Sequence, residues 1–300
     1  MFNLTPQKIL ALSSGFCLSF AIVQPVQAAT FKALNKNVIS NVFAECINDG
    51  TVSVLDDDNA AWQQWHYSHD STTDGVDGLQ VGGNVYEIFG MALKETKDSI
   101  LVAINGNMPL TGQDGTAAND GNIGWGDFFL NFSGKDFTTA SNDKDLFAVR
   151  FAGENDSFVP SVGLYGDVSA VSTTGINSGF ASISDYNQRV TDYGGFPSFG
   201  DLPANTNYFD QSQSLNNIGS GQYLADIMYL TLADLQAMGY DSSQFGGQYT
   251  HAFKIDKSAI CQSGVCETVP EPSTALALVA VGLGLGGLRL RRRKVGPREG

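Results

Sequence analysis

Ser99-Ile100-Leu101-Val102-Ala103-Ile104-Asn105 is the stretch that decides the fold class. A short apolar run, rich in β-branched residues and set between Asp, Asn and Gly, reads as a strand. The pattern recurs on both sides of it. Residues 84–93 are apolar and aromatic, 127–132 are Phe-rich, and 161–171 carry Val162, Leu164, Val168 and Val171. Residues 146–151 alternate, with Phe147, Val149 and Phe151 on one face; residues 249–255 put Tyr249, His251, Phe253 and Ile255 on one side. Such runs predict an all-β domain, an antiparallel β-sandwich of jelly-roll-like type. One short helix is expected: Thr231 caps it, Asp234 sits at the capping-box position, Gly239 ends it, and Leu232 and Leu235 face the core. Residues 106–126 and 172–222 read as long loops, and loops of that length are usually functional or flexible.

Composition agrees with a folded domain. Of 300 residues, 42% are apolar and 11% aromatic, enough to build a core, so whole-chain disorder is excluded. The 34 glycines show no Gly-X-Y period, which excludes collagen.

The two ends read as addresses. Residues 1–28 have the form of a secretory signal helix: Lys8 in the n-region, an apolar stretch over 9–23, and Val26-Gln27-Ala28 before a signal-peptidase cut at Ala29. At the other end, Val269-Pro270-Glu271-Pro272-Ser273-Thr274 leads into an apolar run over 275–288, then Arg289, Arg291, Arg292, Arg293 and Lys294. That run is shorter than the roughly 20 residues a spanning helix needs. Arginines after it hold the end on the cytoplasmic side. The prolines cannot continue a helix and leave an extended segment open to a protease. A short span of this kind fits a temporary stop in the membrane; the alternative is a permanent anchor.

This tripartite tail resembles the PEP-CTERM sorting signal of bacterial surface proteins. Val269, Pro270, Glu271 and Pro272 match the motif, 275–288 the hydrophobic helix, and Arg291, Arg292 and Arg293 the basic end. Residues 295–300 run past the usual end. The resemblance implies that an exosortase removes the tail and that the protein reaches the cell surface or extracellular matrix after transient anchoring in the inner membrane. The chain then divides into a signal peptide (1–28), an acidic domain (29–267), a linker with the Pro-Glu-Pro motif (268–274), and a hydrophobic sorting helix with basic tail (275–300).

Without the ends the charge is extreme. Residues 29–270 hold 10 Lys and Arg against 29 Asp and Glu, a net −19. Such a surface is a poor partner for nucleic acid or anionic lipid, so no nucleic-acid partner is expected, and it attracts divalent cations. Of the chain's 31 acids, 24 are Asp, a turn-forming residue, which again points to many loops between strands. Cys46, Cys261 and Cys266 remain after signal removal. Cys261 can pair with Cys266, or either with Cys46, leaving one thiol over.

Enzyme signatures are absent: no G-x-S-x-G, H-E-x-x-H, Walker A or strand-linked G-x-G-x-x-G occurs. His66 and His69 with Asp70 form a candidate metal pair, but a loop pair without a third ligand reads more simply as polar surface. Asp70-Ser71-Thr72-Thr73-Asp74-Gly75 begins like an EF-hand loop, yet the twelfth position is Val81, so that motif fails. Calcium in β-sandwich loops needs only clustered carboxylates. Asp56, Asp57 and Asp58, Asp74 and Asp77, and Asp114 with Asp120 supply them, against the plainer reading of solvated turns. Glu87, Glu95 and Glu154 are candidate acids for glycoside hydrolysis, but the sequence selects no pair. Trp62, Trp65, Tyr67 and Trp125, the last with Asp127 in Gly124-Trp125-Gly126-Asp127, can form a sugar-stacking platform; core packing is the competing reading.

Ile88-Phe89-Gly90-Met91-Ala92-Leu93, the segment Ala103-Ile104-Asn105-Gly106-Asn107-Met108-Pro109-Leu110-Thr111-Gly112, and Gly124-Trp125-Gly126-Asp127-Phe128-Phe129 are similar to exosortase-dependent surface proteins named for an X-Asp-Asp motif, with Leu55-Asp56-Asp57 at that motif. This resemblance implies no catalytic residues. The expectation is an exported, non-catalytic surface or matrix protein, associated with extracellular polysaccharide and calcium and requiring no cofactor. The rival readings are a calcium-dependent carbohydrate-binding module and a secreted polysaccharide hydrolase.

Overall fold

The computed structural model describes residues 65–261, apart from 97, 117 and 134, and two strands nearer the N-terminus. Those two are β1 (Lys8–Ala11) and β2 (Ser19–Ile22). Next come β3 (His66–His69), β4 (Val76–Asp77), β5 (Gln80–Val81), β6 (Ile88–Glu95), β7 (Ser99–Gly106), β8 (Gln113–Asp114), β9 (Asn122–Ile123) and β10 (Phe128–Asn131). Helix α1 (Phe137–Asn142) leads to β11 (Leu146–Arg150) and β12 (Gly163–Val171). Helix α2 (Ile183–Asp192) leads to the hairpin of β13 (Ser198–Phe199) and β14 (Leu202–Pro203). Then follow β15 (Asn217–Ala225), β16 (Met228–Leu230), α3 (Leu232–Ala237), β17 (Tyr249–Asp256) and α4 (Lys257–Cys261).

The strands form two main antiparallel sheets. One has the order β16-β17-β7-β6-β3; the other runs β10-β11-β12-β15, with β2 and β1 added beyond β10. The β2–β10 contact is parallel and confined to Ala21 opposite Asn131.

Side-chain alternation explains how the sheets pack. In β7, Ile100, Val102 and Ile104 enter one core, which they share with Phe128 and Leu130 of β10, Phe147 and Val149 of β11, and Phe253 and Ile255 of β17. Phe253 lies 5.5 Å from Phe128 and 5.6 Å from Phe151, ring centre to ring centre. The intervening residues of the same strands point the other way. Leu101 and Ala103 meet Trp65, Tyr67, Leu235 and Tyr240 in an outer cluster. Leu146 and Ala148 meet Phe137 of α1, Tyr186 and Val190 of α2, and Phe199 in another. Covered on both faces, the central strands read as continuous apolar runs. Burying each large apolar side chain stabilises by about 1.5–3 kcal/mol. Strand propensities span only about 1 kcal/mol, so burial contributes more than propensity to holding these strands.

Gly90 marks an irregularity in β6, where the pairing with β7 shifts between Ile88 and Gly90. Its φ is +140°, and a Cβ there would come within 2.3 Å of the Ser68 carbonyl oxygen. Only glycine fits that position.

Several expectations change. Four short helices are described instead of one. Asp136 caps α1 by accepting from Thr139 N–H, and Ser182 caps α2 by accepting from Asp185 N–H. The expected α3 carries both halves of its Thr231–Asp234 capping box. Of its two leucines, Leu235 is fully buried, whereas Leu232 in the first turn is 43% exposed. The N-terminal signal was expected as a helix; the two described stretches within it are strands, whose backbone groups pair with each other. Among the described residues no helix is long and apolar enough to cross a membrane. The linker, the sorting helix and the basic tail lie outside the described residues.

Candidate functional site

The connection from β3 to β6 is built on buried acids. Asp70 Oδ1 accepts from Ser71 N–H (3.0 Å), Ser198 Oγ–H (2.6 Å) and Gly200 N–H (3.2 Å). Asp74 Oδ2 accepts from Ser198 N–H at 3.0 Å, and its backbone oxygen accepts from the Tyr186 hydroxyl at 2.9 Å. Glu87 Oε2 accepts from Gly83 N–H at 2.6 Å and, more weakly, from Gly75 N–H at 3.3 Å. The connection is thereby tied to α2 and to the β13–β14 hairpin. Gly195 touches it at Thr73, where a Cβ would meet the carbonyl oxygen at 2.0 Å.

Burial dominates the electrostatics of these acids. It pushes Asp70 up to about 7, against the pull of its three donors. Asp74 is raised well above the usual carboxylate range by burial and by the neighbouring charges of Asp70 and Glu87. Glu87 is raised by burial, against its Gly83 and Gly75 donors.

This connection forms one wall of a cleft of about 750 Å³. Ile88, Met108 and Trp125 reach it from the core between the sheets. Phe137, Ile183, Tyr186, Phe199 and Phe209 reach it from the outer core beneath the helices. The cleft therefore lies along the seam of two hydrophobic clusters. Tyr86 packs on the first and Phe180 on the second, each half-buried. Asp77, Asp114 and Asp210 are exposed lining residues, and Gln113, Asn177, Gln213 and Arg189 add amides and one guanidinium. Both stretches read as long loops contribute: Gln113 and Trp125 from the first, Asn177, Phe180 and Gln213 from the second.

The sequence-derived candidates separate in space. Trp125 lines the cleft but is 5% exposed, its Nε1–H donating to Pro109 O at 2.9 Å and its ring edge-on to His251. Asp127 is wholly buried elsewhere. Its oxygens accept from Asn155 Nδ2 (2.8 Å) and Ile218 N–H (2.7 Å), joining the starts of β10 and β15, and burial pushes it up to about 6. The two residues do not form one surface. Asp74 is buried in the connection from β3 to β6, and Asp77 is exposed in the β4–β5 hairpin. Asp56, Asp57, Asp58, Trp62, Leu55, Cys46 and Cys266 lie outside the described residues, and Cys261 ends α4. Among the described residues no three His, Cys, Asp or Glu side chains gather to hold a metal ion.

His66 and His69 occupy strand β3, not a loop. Three positions apart on a strand, they point to opposite faces and cannot share an ion. Trp65 and Tyr67 pack against Tyr240 at 5.2 and 5.7 Å in the outer cluster. Asp114 lines the cleft, while Asp120 accepts from Asn122 N–H at 3.0 Å. Glu95 is buried in an ion pair with Lys257, and Glu154 is exposed. Tyr86, Asn177, Phe180 and Arg189 were not singled out by the sequence. They converge across about a hundred residues, and only the lengths of the two loops pointed toward them.

The C-terminal segment completes the description. The family model for the PEP-CTERM protein-sorting motif matches residues 268–294. The chain carries a PEP-CTERM sorting motif. The match covers the Pro-Glu-Pro segment, the apolar run and the arginines. A PEP-CTERM motif implies export, display at the cell surface and processing by an exosortase. No curated protein and no solved structure matches the chain.

Proposed function

We propose that this is an exosortase-sorted cell-surface or extracellular-matrix protein that works by binding, without catalysis, in association with matrix glycan. The observation that carries the reading is the PEP-CTERM motif at residues 268–294. The net −19 of residues 29–270 suits a soluble, self-repelling surface. A two-sheet β-sandwich is the architecture this reading uses, supported by the core that Phe253 shares with Phe128 and Phe151.

The non-catalytic reading is supported by how the acids are used. Asp70 and Asp74 are buried and accept backbone or hydroxyl donors, and Glu87, which lines the cleft, is engaged by the Gly75 and Gly83 N–H groups. A glycosidase pair would have to reach a scissile bond. Substrate turnover abolished by one carboxylate substitution would overturn this reading.

The tail serves as a temporary hold in the inner membrane until an exosortase cuts near Pro270, after signal peptidase has acted at Ala29. Intact-mass analysis of surface-extracted protein tests it. A C-terminus near Pro270 is expected; recovery of residues 289–300 on most surface molecules would contradict it. No cofactor is required. Calcium association rests on the Asp56, Asp57 and Asp58 cluster: a rise in Tm with millimolar calcium supports it, and no shift removes it.

A further inference from the structure

We propose that the cleft between the two hydrophobic clusters is a binding site for an uncharged glycan, stacked between the Tyr86 and Phe180 walls and hydrogen-bonded by the amides that line it. This deepens the surface-binding reading above and rests on it. At about 750 Å³ the cleft falls within the usual range of ligand sites, about 300–1,000 Å³. Its chemistry is mixed in the way a pyranose needs. A sugar has an apolar face of C–H groups for aromatic rings and a rim of hydroxyls that both donate and accept. Tyr86 packs on one cluster and Phe180 on the other while both stay half-exposed, so packing limits what ordering each ring costs on binding.

Asn177 lines the cleft as a half-buried amide. Its Nδ2 donates to Asp156 Oδ2 at 2.6 Å, which holds the side chain in place.

Charge sets the class of glycan. Asp77, Asp114 and Asp210 face the opening against Arg189, whose guanidinium lies 4.9 Å from the Tyr193 ring centre. A uronate, sulfate or phosphate meets three carboxylates at the entrance. Among the buried lining residues a cation finds little to hold it, since Glu87 is engaged by Gly75 and Gly83 and Ile88, Met108 and Trp125 are apolar. An uncharged glycan meets neither obstacle.

Isothermal titration of the purified protein tests this. The probes are neutral oligosaccharides (gluco-, xylo- and mannohexaoses of defined linkage), an alginate oligouronate and spermine. Binding of at least one neutral hexaose is expected, with about a tenfold loss of affinity in Tyr86→Ala and in Asn177→Ala at unchanged circular dichroism. If Tyr86→Ala fails to fold, Gln213→Ala serves at a half-buried lining position. Three results would each overturn the assignment: no neutral hexaose bound; binding of oligouronate or spermine alone; or unchanged affinity in the folded variants. The mass of the tail on the same surface-extracted material separates the two readings. Correct processing without glycan binding overturns the cleft assignment alone, and an uncut tail overturns the sorting reading.

Discussion

Ser198 donates its hydroxyl to Asp70 across 2.6 Å, linking two residues 128 positions apart in the chain. The backbone N–H of the same serine donates to Asp74. One small residue thus fastens the β13–β14 hairpin to the connection that leads toward β6, and both segments line the cleft, through Phe199 on one side and Tyr86 and Glu87 on the other.

Ser198→Ala removes the hydroxyl donor and keeps the backbone bond. Asp70 retains the N–H groups of Ser71 and Gly200. The expected cost is about 1–2 kcal/mol, read as a Tm lower by roughly 2–8 °C. A variant melting with the native protein would show that the hydroxyl contributes nothing to the clasp.

Stability should depend on pH in an unusual direction. Asp70 is held near 7 and Asp127 near 6, both above the ordinary 3.8. A raised acid binds its proton in the folded state while the unfolded chain has released it, so stability falls as pH rises. The Asp70 contribution is fully present below about 4 and is lost as pH rises through about 7. His69 and His251, lowered by burial, act oppositely and remove stability as pH falls below 6.5. Asp70→Asn keeps an acceptor oxygen and does not titrate. Thermal melts from pH 4 to 8 should therefore show Asp70→Asn gaining on the native protein as pH rises through that window, then holding a constant advantage. A constant difference across the whole range would refute the raised pKa.

Lys257 and Glu95 form a buried ion pair, and the Lys257 ammonium also donates to Thr96 O at 2.6 Å. Lys257→Met strands a buried carboxylate and should cost about 3–5 kcal/mol at neutral pH. Lys257→Met with Glu95→Leu should recover most of that, because an apolar pair of similar volume is often as stable. Urea denaturation of the two variants decides between a stabilising pair and a stranded charge.

Gly90→Ala should be among the most damaging small substitutions. The new Cβ would sit at a φ of +140° and within 2.3 Å of the Ser68 carbonyl and 2.5 Å of the Phe245 ring. Backbone strain alone costs about 1–3 kcal/mol, before β3 and β6 move apart. Denaturation at reduced midpoint with the same cooperativity is the expected result; an unchanged midpoint would mean the bulge is dispensable.

Strands legible in the sequence were those written as short apolar or alternating runs between turn residues. Residues 99–105 and 146–151 became β7 and β11, and 249–255 became β17, within a residue or so at each end. β15 escaped notice because its pairing with β12 carries it, while its own residues include Gly219 and Gly221 and alternate weakly. Helix α2 lay inside a stretch read as loop. Its signal was present, Ser182 as cap and Ile183, Tyr186 and Val190 on one face, but Asn, Gln and Asp between them masked it. Trp125, read as a candidate sugar-stacking ring, lines the cleft but is buried in the core, whereas Asp127 two positions on turned inward to become a structural hub. Residues two apart on a strand share a face, but these two precede β10, where that rule does not hold.

The amino-acid sequence alone determined the sorting of this protein, because the Pro-Glu-Pro segment, apolar run and arginines are contiguous and are read as a linear string. It also determined the all-β class, because short apolar, β-branched and aromatic runs between turn residues are written locally along the chain. Tertiary structure alone decided the cleft and the raised pKa values of the acids behind it. Tyr86, Asn177 and Phe180 come to line one cleft only when two clusters pack side by side, and Asp70 is pushed up to about 7 because folding takes it out of water.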